Sequence, residues 1–243
     1  MMRTLTTLIT LGLVLAFCTM AVADNGIFED FEGGASGGGW YWGITSDTVN
    51  PIGGNPGGWL ESGELDAPTP TLRGAWDAPG WTGDYAAMGV TGFSADIQTL
   101  STSNAYWHLY PLFVIIINHM GTPGDISDDV YVYPNPDAYN PLPPGDGWQS
   151  CSWDIPSDFV GGYGELPAGW NGGTGGTTDF PSDLIWQDMM TNVGRLEVRF
   201  LYPDYAATFE LYHMGADNLI LYYEDGAVAT ENATFGGVKA LFR

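Results

Sequence analysis

Pro111-Leu-Phe-Val-Ile-Ile-Ile-Asn118 is apolar at every position from Leu112 to Ile117 and carries three adjacent β-branched isoleucines. The run is far too short to cross a bilayer. A strand apolar at consecutive positions is covered on both faces, so this segment is expected at the centre of a sheet. A second stretch, Gly194-Arg-Leu-Glu-Val-Arg-Phe-Leu-Tyr202, sets Leu196, Val198, Phe200 and Tyr202 against Glu197, Arg199 and Leu201. That alternation has the two-residue period of a strand with one face in a core.

Outward from these stretches, the same signals predict strands at Ile27 to Glu32, Gly58 to Glu61, Ala87 to Gln98, Tyr106 to Asn118 and Asp129 to Tyr133. Further strands are expected at Trp148 to Asp154, Gly194 to Tyr202, Thr208 to His213 and Asp217 to Tyr223. Glycine (35) and proline (16) punctuate the chain throughout, while Val, Ile, Tyr, Phe and Trp fill the segments between them. That composition suits an all-β chain, and the number of strands suits a two-sheet antiparallel β-sandwich of the jelly-roll kind. Pro181 to Asn192 reads as one short helix capped by Ser182 or Asp183. Gly33 to Gly58, Tyr133 to Gly147 and Val160 to Pro181 read as long Gly/Pro-rich loops.

At the N-terminus one Arg precedes an apolar stretch that ends in Ala21-Val22-Ala23, the pattern of a cleaved signal peptide over residues 1–23. Residues 24–224 then form one β-sandwich domain, and 225–243 a tail that is polar before ending Phe235-Gly-Gly-Val-Lys-Ala-Leu-Phe-Arg243. The tail reads as a final strand, a surface or secretion signal, or a frayed end. Cleavage removes Arg3 and Cys18, taking the formal charge from −23 to −24 and leaving Cys151 without a disulfide partner. Such a chain repels phosphate, so nucleic acid and anionic membrane surfaces are not expected partners, whereas cations such as calcium and neutral polymers remain open. Its expected location is extracellular or at a cell surface.

Ten tryptophans and thirteen tyrosines are many for one domain. Rings beside polar groups suit the apolar faces of sugars, and Trp40, Trp42, Trp76 and Trp81 fall in loops where they could serve as ligand contacts or as loop anchors. Trp76 and Trp81 are preferred, because the Pro79-Gly80 turn between them could present both. Trp148, Trp153 and Cys151 sit in a strand and read as core, and His108 and His213 read as packed residues. Asp125, Asp128 and Asp129 read as a polar turn, since the order of a calcium loop is missing.

Several segments together resemble the extracellular jelly-roll modules related to the laminin B (laminin type IV) domain and, more loosely, carbohydrate-binding modules. The residues that carry the likeness are Phe28-Glu-Asp-Phe-Glu-Gly-Gly34, Gly53-Gly-Asn-Pro-Gly-Gly-Trp-Leu60, Trp76-Asp-Ala-Pro79 with Gly83-Asp-Tyr85, Trp153-Asp-Ile-Pro156 and Gly215-Ala-Asp-Asn-Leu-Ile220. The chain departs from the laminin modules in its lack of a cysteine framework. The resemblance implies a two-sheet scaffold that displays a binding surface. It also implies a structural Ca2+ held by Glu32 and Asp217, with Asp30 next, against the alternative that these are solvated edge carboxylates.

Catalytic patterns are missing. Glu29, Asp30 and Glu32 look like glycosidase carboxylates only in composition, His108, His119 and His213 have no zinc spacing, and no Gly-x-Ser-x-Gly elbow occurs. The expectation is a secreted, non-catalytic binding module for a glycan or a cell-surface component. A structural or adhesive envelope protein is the alternative, and a glycoside hydrolase or lyase comes last.

Overall fold

The computed structural model describes residues 26–43, 47–122, 125–135, 139–175, 177–201 and 209–224. The expected leader and tail lie outside the described residues. Among the described residues thirteen strands form two sheets, and every pairing between these strands is antiparallel. The first sheet contains β1 (Gly26–Glu29), β3 (Thr48–Gly54), β4 (Gly57–Glu61), β5 (Leu65–Ala67), β7 (Val90–Thr102), β10 (Trp148–Asp154) and β13 (Glu210–Tyr223). Its order is β10-β7-β13-β4-β3, with β1 and β5 also pairing along β13. The second sheet contains β2 (Tyr41–Trp42), β6 (Thr71–Arg73), β8 (Leu112–Asn118), β9 (Val130–Pro134), β11 (Trp170–Thr174) and β12 (Arg195–Phe200), in the order β11-β9-β8-β12-β6-β2. The chain is an all-β sandwich, as expected.

The apolar strand β8 runs between β9 and β12 and is buried along its whole length. Leu112, Val114 and Ile116 point into the main core, while Phe113, Ile115 and Ile117 join Tyr133 in a second cluster on the outer side of the sheet. On β12, Leu196, Val198 and Phe200 enter the main core.

Several element boundaries differ from expectation. The predicted strand from Ala87 begins as a one-turn helix, α1 (Tyr85–Met88), because the Asp84 side chain accepts from Ala87 N at 2.9 Å and Gly89 closes the turn at φ 66°. Tyr106 to Asn118 likewise starts as a 3-10 turn at Trp107–Leu109, and β8 begins only after Pro111. The two strands expected on either side of Gly215 are one strand, β13, in which irregularities after His213 and Asp217 absorb the apparent break. The helix expected over Pro181 to Asn192 shortens to α2 (Trp186–Met190). Strands β2, β3 and β11 lie in segments expected to be loops, being short and rich in Gly or Pro.

Aromatic side chains dominate the main core. Trp40 stacks on Phe93 at 5.8 Å, Phe93 on Trp153 at 6.2 Å, and Trp107 on Phe200 at 4.7 Å. Such pairs add roughly 0.5–1.5 kcal/mol each beyond the area they bury. Cys151 packs in the same core, where burial and then Asp96 push its thiol up to about 12, so it is an unreactive small residue at neutral pH.

Candidate functional site

The outer face of the second sheet is built by register. Because Leu196, Val198 and Phe200 point inward, β12 must turn Arg195, Glu197 and Arg199 outward. Glu197 pairs with Arg73 of β6 on one side and Ile115 of β8 on the other, and Tyr41 of β2 lies next to Arg73. Arg199 stands between Thr71 and Phe113, and Arg195 beside Ile117, which itself pairs with Tyr131 of β9. One half of this face is therefore charged and the other is apolar and aromatic.

Glu197 is the centre of the charged half and its side chain is only 3% exposed. Its Oε1 accepts a short hydrogen bond from Arg195 Nη2, and Arg73 Nε stands 3.3 Å from the same oxygen. Arg199 Nη2 is 4.0 Å from Oε2. Three guanidinium groups thus surround one carboxylate. The Nε atoms of all three arginines are screened from solvent without a hydrogen-bond partner, although the outer parts of Arg73 and Arg199 remain 29% and 28% exposed.

Trp76 borders the charged half. It is half-buried, with the Arg195 guanidinium 4.5 Å above its ring and the His119 ring 5.8 Å away. His119 in turn meets Asp77 at 3.2 Å. Asp129, at the start of β9, has its carboxyl raised by burial and by Asp128, with His119 and Arg195 opposing the shift. Across the sheet, Tyr131 stacks on Tyr133 and donates its hydroxyl proton to Thr177 O at 2.8 Å. Tyr131, Tyr133 and the three arginines are held on strands, which fixes their mutual geometry, whereas Trp76 and His119 lie in the connections that follow β6 and β8.

Of the tryptophans singled out in the sequence, Trp76 reaches this face. Trp40, Trp42 and Trp81 are corrections: they are 3%, 0% and 3% exposed and belong to the main core. Trp81 packs edge-on to Trp40 at 5.2 Å, so the Pro79-Gly80 turn separates Trp76 from Trp81 rather than pairing them. These rings anchor their loops because the inner surface of the sandwich offers more apolar contact than a turn does. Trp148 also departs from expectation. It lies half-buried on the outer face of the first sheet, edge-on to Trp59 at 5.8 Å, whereas Trp153 is in the core. His108 is exposed on its 3-10 turn, and His213 pairs with Glu61 at 2.8 Å.

The carboxylates expected to hold calcium do come close to one another, around the hairpin from β3 to β4. Glu32 Oε1 accepts from Gly58 N at 3.2 Å, and Asp217 accepts from Asn55 N at 2.5 Å and Asn218 N at 2.7 Å. Asp30 accepts from Glu32 N at 3.1 Å. These oxygens are committed to N–H donors, and among the described residues no three carboxylate, His or Cys groups converge on a common cation position. Burial first, opposed by the two N–H bonds and aided by Asp96 and Asp30, raises the Asp217 carboxyl to about 6. Asp125 and Asp128 serve a polar turn, accepting from Ser127 and Thr122.

No family model matches the chain, and no curated protein matches it. Solved structures with a similar arrangement include an exo-β-agarase, at 9% identity and a TM-score of 0.44, covering 83% of this chain and 26% of that one. This chain therefore spans about a quarter of that agarase. A family 11 carbohydrate-binding module from Clostridium thermocellum, solved with a β-1,3-1,4-mixed-linked tetrasaccharide, is 16% identical over 82% of this chain and 96% of its own, with a TM-score of 0.42. The CBM22-1 xylan-binding domain of Xyn10C from Paenibacillus barcinonensis is 13% identical over 81% and 97%, with a TM-score of 0.38. The likeness to the laminin B domain rests on the quoted sequence segments alone.

The arginine cluster was half visible in sequence. Arg195, Glu197 and Arg199 occupy alternate positions opposite the core residues, which places them on one face. Nothing local indicates that Arg73 joins them, or that Tyr131 and Trp76 border the same surface.

Proposed function

We propose that this chain is an exported, non-catalytic glycan-binding module whose ligand lies on the outer face of the second sheet. The observation that carries the reading is the division of that face. Half-buried Tyr131 and Trp76 present ring surface beside the partly exposed Arg73 and Arg199, and both rings pack on a buried layer of Tyr133, Ile115 and Ile117. A sugar ring has the same division, with C–H faces that stack on aromatic groups and an edge of hydroxyls that needs donors and acceptors. Glu197 is enclosed by arginines rather than set opposite a second carboxylate, which suits orientation of a ligand and not acid–base cleavage of a glycosidic bond. The leader pattern and the high acidic content of the chain support an extracellular or cell-surface location.

The test is retention of the protein in affinity gels that contain individual neutral or acidic polysaccharides. Trp76→Ala and Tyr131→Ala are expected to lower affinity by roughly tenfold, since losing the packing of one aromatic ring costs on the order of 1 kcal/mol. Trp148→Ala, on the opposite sheet, should leave affinity within about twofold. Retention that depends on Trp148 and not on Trp76 or Tyr131 would move the site to the other face.

A further inference from the structure

We infer that the preferred ligand is an anionic polysaccharide, recognised through its carboxylate or sulfate groups by Arg73 and Arg199. This rests on the glycan-binding reading above and specifies the chemistry of that same surface. The sequence contains only six Lys and Arg residues against 29 Asp and Glu, and three of the six converge on one side chain. One carboxylate, Glu197, stands among three guanidinium groups, so positive charge is in excess within the cluster. Arg195 uses the Glu197 hydrogen bond and the Trp76 ring, and it faces Asp129 as well, so it is the most fully compensated of the three.

Arg73 and Arg199 are less well satisfied. Arg73 is in ion-pair range of Glu197 but not aligned to donate to it, and Arg199 reaches it only at 4.0 Å. Both are more than a quarter exposed, and cross-strand pairing with β12 sets them on neighbouring rows of the face, where Arg199 faces Thr71 and Arg73 faces Glu197. Partly desolvated cations without matched acceptors are costly, and an anion placed between them removes that cost. A neutral hydroxyl cannot do so. Guanidinium groups match carboxylate and sulfate oxygens with two parallel N–H bonds, which explains arginine rather than lysine here. In a chain that otherwise repels polyanions, the surplus also confines any acidic ligand to this one surface.

A structural explanation is that the arginines exist to neutralise buried Glu197. A single partner, Arg195, already does this with a hydrogen bond. The two further arginines exceed that need.

Calorimetric titration of the full chain against two matched pairs separates the possibilities: polygalacturonate with its fully methyl-esterified form, and κ-carrageenan with its desulfated form. The acidic member of at least one pair should bind tenfold or more tightly than its neutral counterpart, and the pair that discriminates identifies carboxylate or sulfate as the group recognised. Arg199→Gln, whose contact with Glu197 is loose, should lower that affinity roughly tenfold without changing the melting temperature, and Arg73→Gln should act in the same direction. Equal binding of acidic and neutral members, or unchanged affinity in both variants, overturns the anionic preference while leaving glycan binding in place. No binding to any of the four polymers overturns both.

Discussion

Glu197 is the one carboxylate on which three arginines converge. It is buried among arginines, and removing its charge leaves Arg195 without its hydrogen-bonded carboxylate and Arg73 and Arg199 without their nearest counter-charge. Glu197→Gln is therefore expected to destabilise the fold by about 3–5 kcal/mol, the usual cost of breaking a buried ion pair by deleting one partner, measurable by urea unfolding. Trp81 makes the contrasting case. Its ring packs against Trp40 and Phe93, so Trp81→Ala should cost about 3–5 kcal/mol of stability while the folded fraction keeps its affinity for polysaccharide. Reduced affinity at unchanged stability would return Trp81 to the binding surface. The reading of Trp40, Trp42 and Trp81 as ligand contacts failed because a loop residue's burial depends on which sheet the loop folds against.

Among the elements, β13 organises the first sheet, pairing with β1, β4, β5 and β7. Gly215 lies beneath Trp59 and Trp148, where a Cβ would come within 2.9 Å and 3.1 Å of the two rings. Gly215→Ala should displace this ring pair and cost about 1–3 kcal/mol, visible as a lower melting temperature and a changed near-ultraviolet spectrum. Further along β13, Asp217 holds the hairpin of β3 and β4 through Asn55 N, and its carboxyl is raised to about 6. A folded-state value above the unfolded one means that the folded chain binds the extra proton between about pH 4 and 6, so this group's contribution to stability declines as pH rises through that window. The pH dependence of the melting temperature should show this decline, and Asp217→Asn should remove it. A melting temperature that rises on adding calcium in the wild type but not in Asp217→Asn would instead assign the residue to a cation.

At the scale of the whole molecule, charge is distributed unevenly. The acidic excess repels itself throughout, while the second sheet's outer face collects Arg73, Arg195 and Arg199. Raising NaCl from about 10 to about 150 mM shortens the Debye length from about 30 to about 8 Å, which screens the long-range repulsion and leaves contacts within the buried cluster largely intact. The melting temperature is expected to rise over that interval, as scanning calorimetry can check. The expectation from composition, that the chain repels polyanions, describes the average surface, and the three arginines of this face are a local departure from that average.

Local pattern alone determined the β-sandwich, the central place of Leu112 to Ile117 and the outward turn of Glu197 and Arg199, because strand periodicity and two-sided burial are written into adjacent residues. It also identified Trp153 and Cys151 as core. Tertiary structure decided the rest: which sheet each loop tryptophan packs against, that Asp217 meets the backbone N–H of Asn55 in a distant hairpin, and that Arg73 crosses from β6 to Glu197. Cross-strand register is set by the summed packing of two sheets. A charge cluster assembled from β6 and β12 exists only once that register has formed.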